Sequence, residues 1–161
     1  MPGKSIALLD QCFASAVDLH GLVKIAHWNV RMRGFTSLTD LLGKVVVEVA
    51  FIVNRIDERL GGPCLFERRL GEYSADRSQK VQYKRGISDG QRDILNVYKS
   101  LTKFAKSIAS ANAEAVGFGD LETAGLFAEI SQVIDQQLWL VKAGWVQNQS
   151  IPTFHAPIVE K

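Results

Sequence analysis

Residues 36–63 read TSLTDLLGKVVVEVAFIVNRIDERLGGP, and this stretch decides the fold. Apolar residues recur at steps of three and four over 36–60, which predicts an amphipathic helix that ends at the Gly-Gly-Pro sequence. The residues of this apolar stripe are Leu38, Leu41, Leu42, Val45, Val46, Val49, Ile52, Val53, Ile56 and Leu60. Val47, Ala50 and Phe51 make a second side of the helix apolar, so we expect it to be buried on more than one face. In a chain this small, the second covering surface is most simply another subunit, and we expect a homo-oligomer.

The rest of the chain carries three further helical patterns and almost no strand signal. The predicted helices cover about residues 5–32, 36–60, 89–112 and 120–147. Residues 88–91 (SDGQ) have the form of a capping box for the third helix, and Asp120 is the predicted N-cap of the fourth. Residues 64–86 form a polar connection with one or two weak helical turns, and residues 148–161 are predicted to be an irregular tail. These patterns predict an all-α chain with a single domain over residues 1–161.

Composition is that of a soluble globular domain, with 47% apolar and 22% charged residues in a chain of 161. The net charge of +2 gives no general electrostatic basis for binding nucleic acid. The chain begins without a basic-then-apolar signal pattern and has no run of 18 consecutive apolar residues, so we expect a cytoplasmic protein without a membrane partner. Cys12 and Cys64 do not have the spacing of a metal site, and reduced thiols are expected.

Two short motifs carry candidate metal ligands. His27 lies in the sequence His-Trp-Asn-Val near the end of the first helix, and Glu58 precedes Arg59 near the end of the second. Each also has an ordinary structural interpretation, since His27 could be a packed, hydrogen-bonded residue and Glu58 could form a salt bridge with Arg55 or Arg59. We expect Asn29 to make a local bond near the helix end.

The tryptophans have a simpler interpretation. Trp28, Trp139 and Trp145 are expected to be aromatic residues of the core or of an interface.

These motifs, in order and at helical spacing, resemble those of the Dps mini-ferritins, the DNA-protecting proteins of starved cells. The matching residues of the fourth helix are Asp120, Thr123, Ala124, Phe127, Ser131, Asp135, Leu138, Trp139 and Ala143. The resemblance covers most of residues 5–147. It implies a ferritin-like four-helix bundle with a short helix between the second and third helices. It also implies a hollow shell, a dodecamer built from two-fold dimers, that oxidises ferrous iron with peroxide and stores the ferric mineral.

The resemblance also implies a set of iron ligands shared between two subunits. His27 matches the first histidine of the family site and Glu58 matches its glutamate. Thr39, Gly43 and Asn54 stand where the family has a second histidine and two aspartates, and none of them supplies the anionic oxygen that iron favours. We therefore expect weak or altered ferroxidase activity, with at most one weakly bound iron per half-site. The alternative is a structural or weakly DNA-associating shell that has lost iron oxidation.

Neighbouring residues offer little replacement for the missing ligands. Asp40 follows Thr39 and Asp57 precedes Glu58, but a step of one residue turns about 100° around a helix, so both are expected to point elsewhere. His20 lies seven residues before His27 on nearly the same stripe, about 10 Å along the helix axis. A second, separate metal site near His20 remains open.

DNA binding and iron entry are both expected to be weaker than the family pattern implies. The family's lysine-rich tail has no counterpart here, because the two chain ends contribute only Lys4 and Lys161. A modest basic excess over residues 67–85 comes from Arg68, Arg69, Arg77, Lys80, Lys84 and Arg85. Asp120 and Glu122 correspond to acidic pore residues, but Gly125 replaces a further pore aspartate of the family. We expect DNA binding to be weak or absent.

Overall fold

The computed structural model describes residues 3–61 and 90–149, and both stretches are almost entirely helical. The helices are α1 (Gly3–Met32), α2 (Thr36–Leu60), α3 (Gly90–Gly117) and α4 (Leu121–Gln149). No strand occurs in these two stretches. The prediction of an all-α four-helix bundle is confirmed for these described helices. The predicted short connecting helix and the start of the capping box at residues 88–91 lie outside the described residues.

Two antiparallel hairpins, α1–α2 and α3–α4, pack side by side to form the bundle. The α1 helix also contacts α3, and α2 also contacts α4. The end of α1 meets the start of α3, where the Asn29 amide donates to the Asp93 carboxylate over 3.4 Å. The predicted local bond of Asn29 is therefore wrong, because the half-buried amide reaches a carboxylate on the neighbouring helix. These pairings bring the end of α1 beside the first half of α2.

Backbone geometry at Gly61 ends α2, whereas α3 continues beyond its predicted end. Gly61 adopts φ 103° after Leu60, and its N–H bonds to the carbonyls of Asp57 and Glu58. This left-handed conformation favours glycine, which lacks a Cβ atom. The α3 helix ends at Gly117, five residues beyond its predicted end at Asn112. The side chain of Asn112 donates to the Ala124 carbonyl of α4 over 2.7 Å. Asn112 therefore ties two helices together and does not end one.

The core lies between the four helices and is built from their apolar stripes. The largest fully buried side chains are Phe13, Phe127, Leu9, Leu42, Ile52, Ile56, Ile94, Leu101, Ile108, Ile130, Ile134 and Val23. By length and composition alone, α1 could cross a membrane, but the core helix of a soluble protein passes the same test. The buried stripe of α1, which includes Leu9, Phe13 and Val23, packs into this core.

The second apolar side of α2 is exposed in the single chain. Val47 is 66% exposed and Phe51 is 41% exposed, whereas Val45, Val49 and Ile52 on the core side are buried. Exposed apolar side chains that lie one helical turn apart, as these two do, form a continuous stripe. This is the surface on which the sequence predicts contact with another subunit.

The three tryptophans lie at or near the surface of the chain. Trp28 and Trp139 are mostly exposed, and Trp145 is half-buried against the core. Exposure excludes the core for Trp28 and Trp139, and a location in an interface stays a prediction.

Candidate metal centre

An open cleft of about 540 Å³ lies between the end of α1 and the first half of α2. Its lining residues are His27, Thr39, Asp40, Gly43, Lys44, Val47 and Glu48. Three of the five sequence-predicted site positions, His27, Thr39 and Gly43, therefore come together in one cleft. The antiparallel pairing of α1 with α2 is what places the histidine opposite the other two residues.

His27 and Gly43 are in close contact within the cleft. A Cβ atom built on Gly43 would lie 3.4 Å from Nε2 of His27. The His27 side chain is half-buried, and the described part of the chain provides no hydrogen-bond partner for its ring nitrogens. Thr39 is differently placed, because its hydroxyl donates to the Phe35 carbonyl over 2.8 Å at the first turn of α2. The cleft thus contains one available imidazole and a threonine engaged with its own helix.

Three charged residues of the cleft form a stripe along α2 at steps of four residues. Asp40, Lys44 and Glu48 all line the cleft. Asp40 lines the cleft next to Thr39, so the cleft is wide enough to include adjacent helical positions, and the expectation that the Asp40 carboxylate points elsewhere stays a prediction. Lys44 and Glu48 were not predicted as site residues. Their spacing of i and i+4, which places an ammonium and a carboxylate one turn apart on the same face of α2, could have indicated them. The ammonium of Lys44 opposes cation binding beside His27.

The other two predicted positions lie far from this cleft in the same chain. Asn54 is exposed, and Glu58 is fifteen residues after Gly43, which corresponds to about 22 Å along a helix. Within residues 3–61 and 90–149, no group of three histidine, cysteine or acidic side chains could hold a metal ion. A centre that uses both His27 and Glu58 therefore needs a second copy of the chain.

Glu58 forms a salt bridge within its own chain. Its Oε2 accepts a hydrogen bond from Nη1 of Arg55 over 2.8 Å, which is one of the two structural alternatives expected from the sequence. Arg55 also donates to Glu129 of α4, through Nε over 3.3 Å and through Nη2 over 2.9 Å. These bonds to Glu129 and Glu58 raise the pKa of Arg55. The bond from Arg55 lowers the pKa of Glu129. Arg55 therefore connects two carboxylates on different helices.

The predicted pore residues lie at the start of α4 and have different surroundings. Asp120 is the N-cap, since Oδ1 accepts from the Thr123 N–H over 3.1 Å and Oδ2 accepts from the Thr123 hydroxyl over 2.8 Å. Its side chain is only 7% exposed and pairs with Arg59 at 3.3 Å, whereas Glu122 is 82% exposed and pairs with the same arginine at 2.8 Å. The Thr123 backbone bond is the main reason that the pKa of Asp120 is lowered to about 2. Of the two acids, Glu122 is the solvent-exposed one, and a cation would compete there with Arg59.

Replacing Asp120 with alanine is expected to lower the free energy of unfolding by about 1–2 kcal/mol, because the helix loses its N-cap. Asp120→Asn keeps a capping oxygen and should cost less. The folded-state pKa lies below the ordinary value of 3.8, so the ionised carboxylate stabilises the folded state above about pH 4. This stabilisation is lost as the pH falls through about 2. Urea unfolding of both variants between pH 2 and 7 measures this. Equal stability of Asp120→Ala and the natural chain at pH 7 would contradict the capping role.

His20 offers little to a separate metal site among the described residues. It is half-buried, and burial together with the nearby Lys24 lowers its pKa. The neutral imidazole could be a ligand, but no group of three potential ligands includes it in the described ranges.

Comparisons with known proteins agree with this architecture. No family model matches the chain. The DNA protection during starvation protein of Agrobacterium fabrum is 29% identical over 152 residues, which are 90% of this chain and 89% of the relative. A protein of the same name from Streptococcus suis is 24% identical over 144 residues, covering 86% of this chain and 81% of the relative. The resemblance to the Dps family is confirmed.

Solved structures, two of them of Dps proteins, have the same fold as this chain. DpsC from Streptomyces coelicolor superposes with a TM-score of 0.70 at 21% identity, over 87% of this chain and 82% of DpsC. Dps from Thermosynechococcus elongatus gives a TM-score of 0.67 at 18% identity, over 88% and 89% of the two chains. Antigen TpF1 from Treponema pallidum also gives 0.67, at 17% identity, over 89% and 95%. The described helices therefore have the fold of these two Dps proteins, which confirms the predicted ferritin-like bundle.

Proposed function

We propose that this chain is the subunit of a Dps-type shell that protects DNA in the cytoplasm and handles ferrous iron as a slow ferroxidase. The name of the Agrobacterium relative, a DNA protection during starvation protein, supports the protective role. Iron is the substrate and the cargo in this proposal. The reduced rate follows from the residues of the cleft.

The cleft at His27 is the observation that carries the proposal. The positions that resemble family ligands, His27, Thr39 and Gly43, are neighbours in space although they come from two helices. Only His27 among them is a good ligand, so the arrangement of the site is retained while most of its chemistry is missing. One imidazole and one carboxylate can hold a single ion loosely, but they cannot fix two irons in close proximity.

Assembly is part of the proposal because the two ligands are separated within one chain. The exposed apolar side of α2, with Val47 and Phe51, is the proposed two-fold contact. Dimers formed through α2 would bring the His27 cleft of one copy toward the region of Glu58 in the other. Twelve subunits are proposed from the resemblance to Dps proteins.

The natural protein is expected to oxidise ferrous iron with peroxide faster than a protein-free control but about a hundredfold slower than a complete mini-ferritin, because ligands are missing. Stopped-flow absorbance of the ferric product, with the number of irons retained per assembly, measures this. His27→Ala should abolish the difference from the protein-free control. His20→Ala is the matched control, a half-buried histidine of the same helix, and should have no effect. Fast oxidation that His27→Ala leaves unchanged would place the chemistry elsewhere.

A second function, a structural shell without iron oxidation, is favoured by one specific contact. Glu58 is held by Arg55 at 2.8 Å and is therefore a poorer ligand than a free carboxylate. The same kinetic experiment separates the two functions, since a rate equal to that of the protein-free control indicates the structural shell. In either case we propose weak or absent binding of DNA, because the net charge is only +2.

A further inference from the structure

Arg55 occupies a position where its guanidinium group neutralises a candidate metal ligand. Nη1 bonds to Glu58, and the opposite side of the same guanidinium, Nε and Nη2, bonds to both carboxylate oxygens of Glu129. Paired bonds of this kind have the geometry that guanidinium and carboxylate groups favour, and they hold the group in one orientation. Glu129 therefore fixes Arg55 on the α4 side of α2.

The position of Arg55 determines which way the Glu58 side chain turns. Glu58 follows Asn54 by four residues and Arg55 by three, so on the helix surface it lies between them, about 40° from Asn54 and about 60° from Arg55. Glu58 is 65% exposed and has room to turn toward either side. In the structure it turns toward Arg55. In this orientation the Glu58 carboxylate points away from Asn54, so it must leave Arg55 before the two positions can bind one ion.

Electrostatics act in the same direction as geometry. A carboxylate that shares a hydrogen bond with a guanidinium attracts a second cation less strongly, because that cation must compete with the guanidinium. The effect of one exposed salt bridge of this kind is modest. The Glu129 bonds keep the positive charge in place even when Glu58 moves away, so a metal ion bound at Glu58 would lie close to a fixed cation.

We propose that Arg55 is a positioning residue that withholds Glu58 from the inter-subunit metal site. The inference rests on the proposed function, since the site that Glu58 would join also contains His27 of the partner subunit. Arg55 thus reduces metal binding in addition to the missing ligands at Thr39, Gly43 and Asn54. The natural chain is kept in a weakly binding state by a side chain that is itself no part of the site.

Titration of the assembled protein with Mn²⁺ tests the proposal without iron, peroxide or turnover. Arg55→Gln should tighten Mn²⁺ binding about two- to fivefold, since one competing exposed ion pair is removed. The gain should disappear in Arg55→Gln/Glu58→Gln and in Arg55→Gln/His27→Ala. Lys103→Gln, which removes an exposed positive charge from α3, is the control for net charge and should change the affinity little. Arg55→Met is a second neutral variant and should reproduce the gain.

Two results would overturn the role of Arg55. One is unchanged Mn²⁺ affinity in assembled Arg55→Gln and Arg55→Met. The other is a gain that requires Glu129 but not His27, because the substitution would then have created a new site between two carboxylates of one chain. Light scattering and circular dichroism establish that each variant is assembled and helical. A natural protein that is monomeric, or that leaves iron unoxidised, argues against the proposed function, whereas assembled variants with unchanged Mn²⁺ affinity argue only against Arg55.

Discussion

The triple variant Thr39→His/Gly43→Asp/Asn54→Asp is expected to oxidise ferrous iron with peroxide about a hundredfold faster than the natural chain. The three substitutions supply the ligand types that the Dps resemblance implies and this chain lacks. Histidine and carboxylate ligands suit ferrous iron, and changes to residues that only hydrogen-bond the ligands already alter affinity or activity about 10- to 100-fold. Replacing missing ligands should have an effect near the upper end of that range, because these residues would contact the metal directly.

The structure indicates that the new side chains fit. A Cβ atom on residue 43 would lie 3.4 Å from Nε2 of His27, an ordinary contact distance, so an aspartate there can reach the imidazole without displacing the backbone. Residues 39 and 43 are one helical turn apart and line the same cleft. Residues 54 and 58 are also one turn apart, which lets two carboxylates share an ion.

The kinetic comparison needs a variant with the same number of substitutions but no new ligands. Thr39→Ala/Gly43→Ala/Asn54→Ala serves this purpose and should be as slow as the natural chain. The number of irons bound per subunit before peroxide is added should rise in the ligand-restored variant alone. Equal rates for both triple variants, with the shell intact, would show that the cleft is not the oxidation site.

The fold could be predicted from the sequence because its signals are local. Apolar periodicity and glycines at helix ends, such as Gly61, act within one or two turns and define the helices directly. Asn112 was misinterpreted as a helix end because its partner, the Ala124 carbonyl, becomes a neighbour only after α3 and α4 pack together. Asn29 was misinterpreted for the same reason.

The candidate site could be predicted only in part. Family-like spacing placed His27, Thr39 and Gly43, and the structure brings them into one cleft. Nothing in the spacing indicated that Glu129, 74 residues away, would hold Arg55 and through it Glu58. The angle between adjacent helical positions predicted that Asp40 lies away from the site. That angle does not take account of the width of the cleft, which Asp40 also lines. The charge balance of a site depends on such tertiary contacts, which a one-dimensional pattern does not contain.

Phe51→Glu is expected to dissociate the assembly into species no larger than a few subunits of 17.8 kDa. Phe51 is 41% exposed and Val47, one turn before it, is 66% exposed in the single chain, and the proposed two-fold contact would bury both. A glutamate at residue 51 would place an uncompensated charge in that contact, at a cost of about 3–5 kcal/mol. The two-fold symmetry would double this cost, because each contact contains both copies of the residue.

Light scattering of the variant at neutral pH measures the effect, and circular dichroism should show unchanged helix content because residue 51 is not part of the core. Lys103→Glu, at an exposed position of α3, is the charge control and should leave the assembly intact. Phe51→Ala should weaken the contact less than the glutamate does, since it removes apolar area without introducing a charge. An assembly of unchanged mass in Phe51→Glu would mean that this side of α2 faces solvent. His27 and Glu58 could then not meet across it, and the inter-subunit iron site would have to be abandoned together with the two-fold contact.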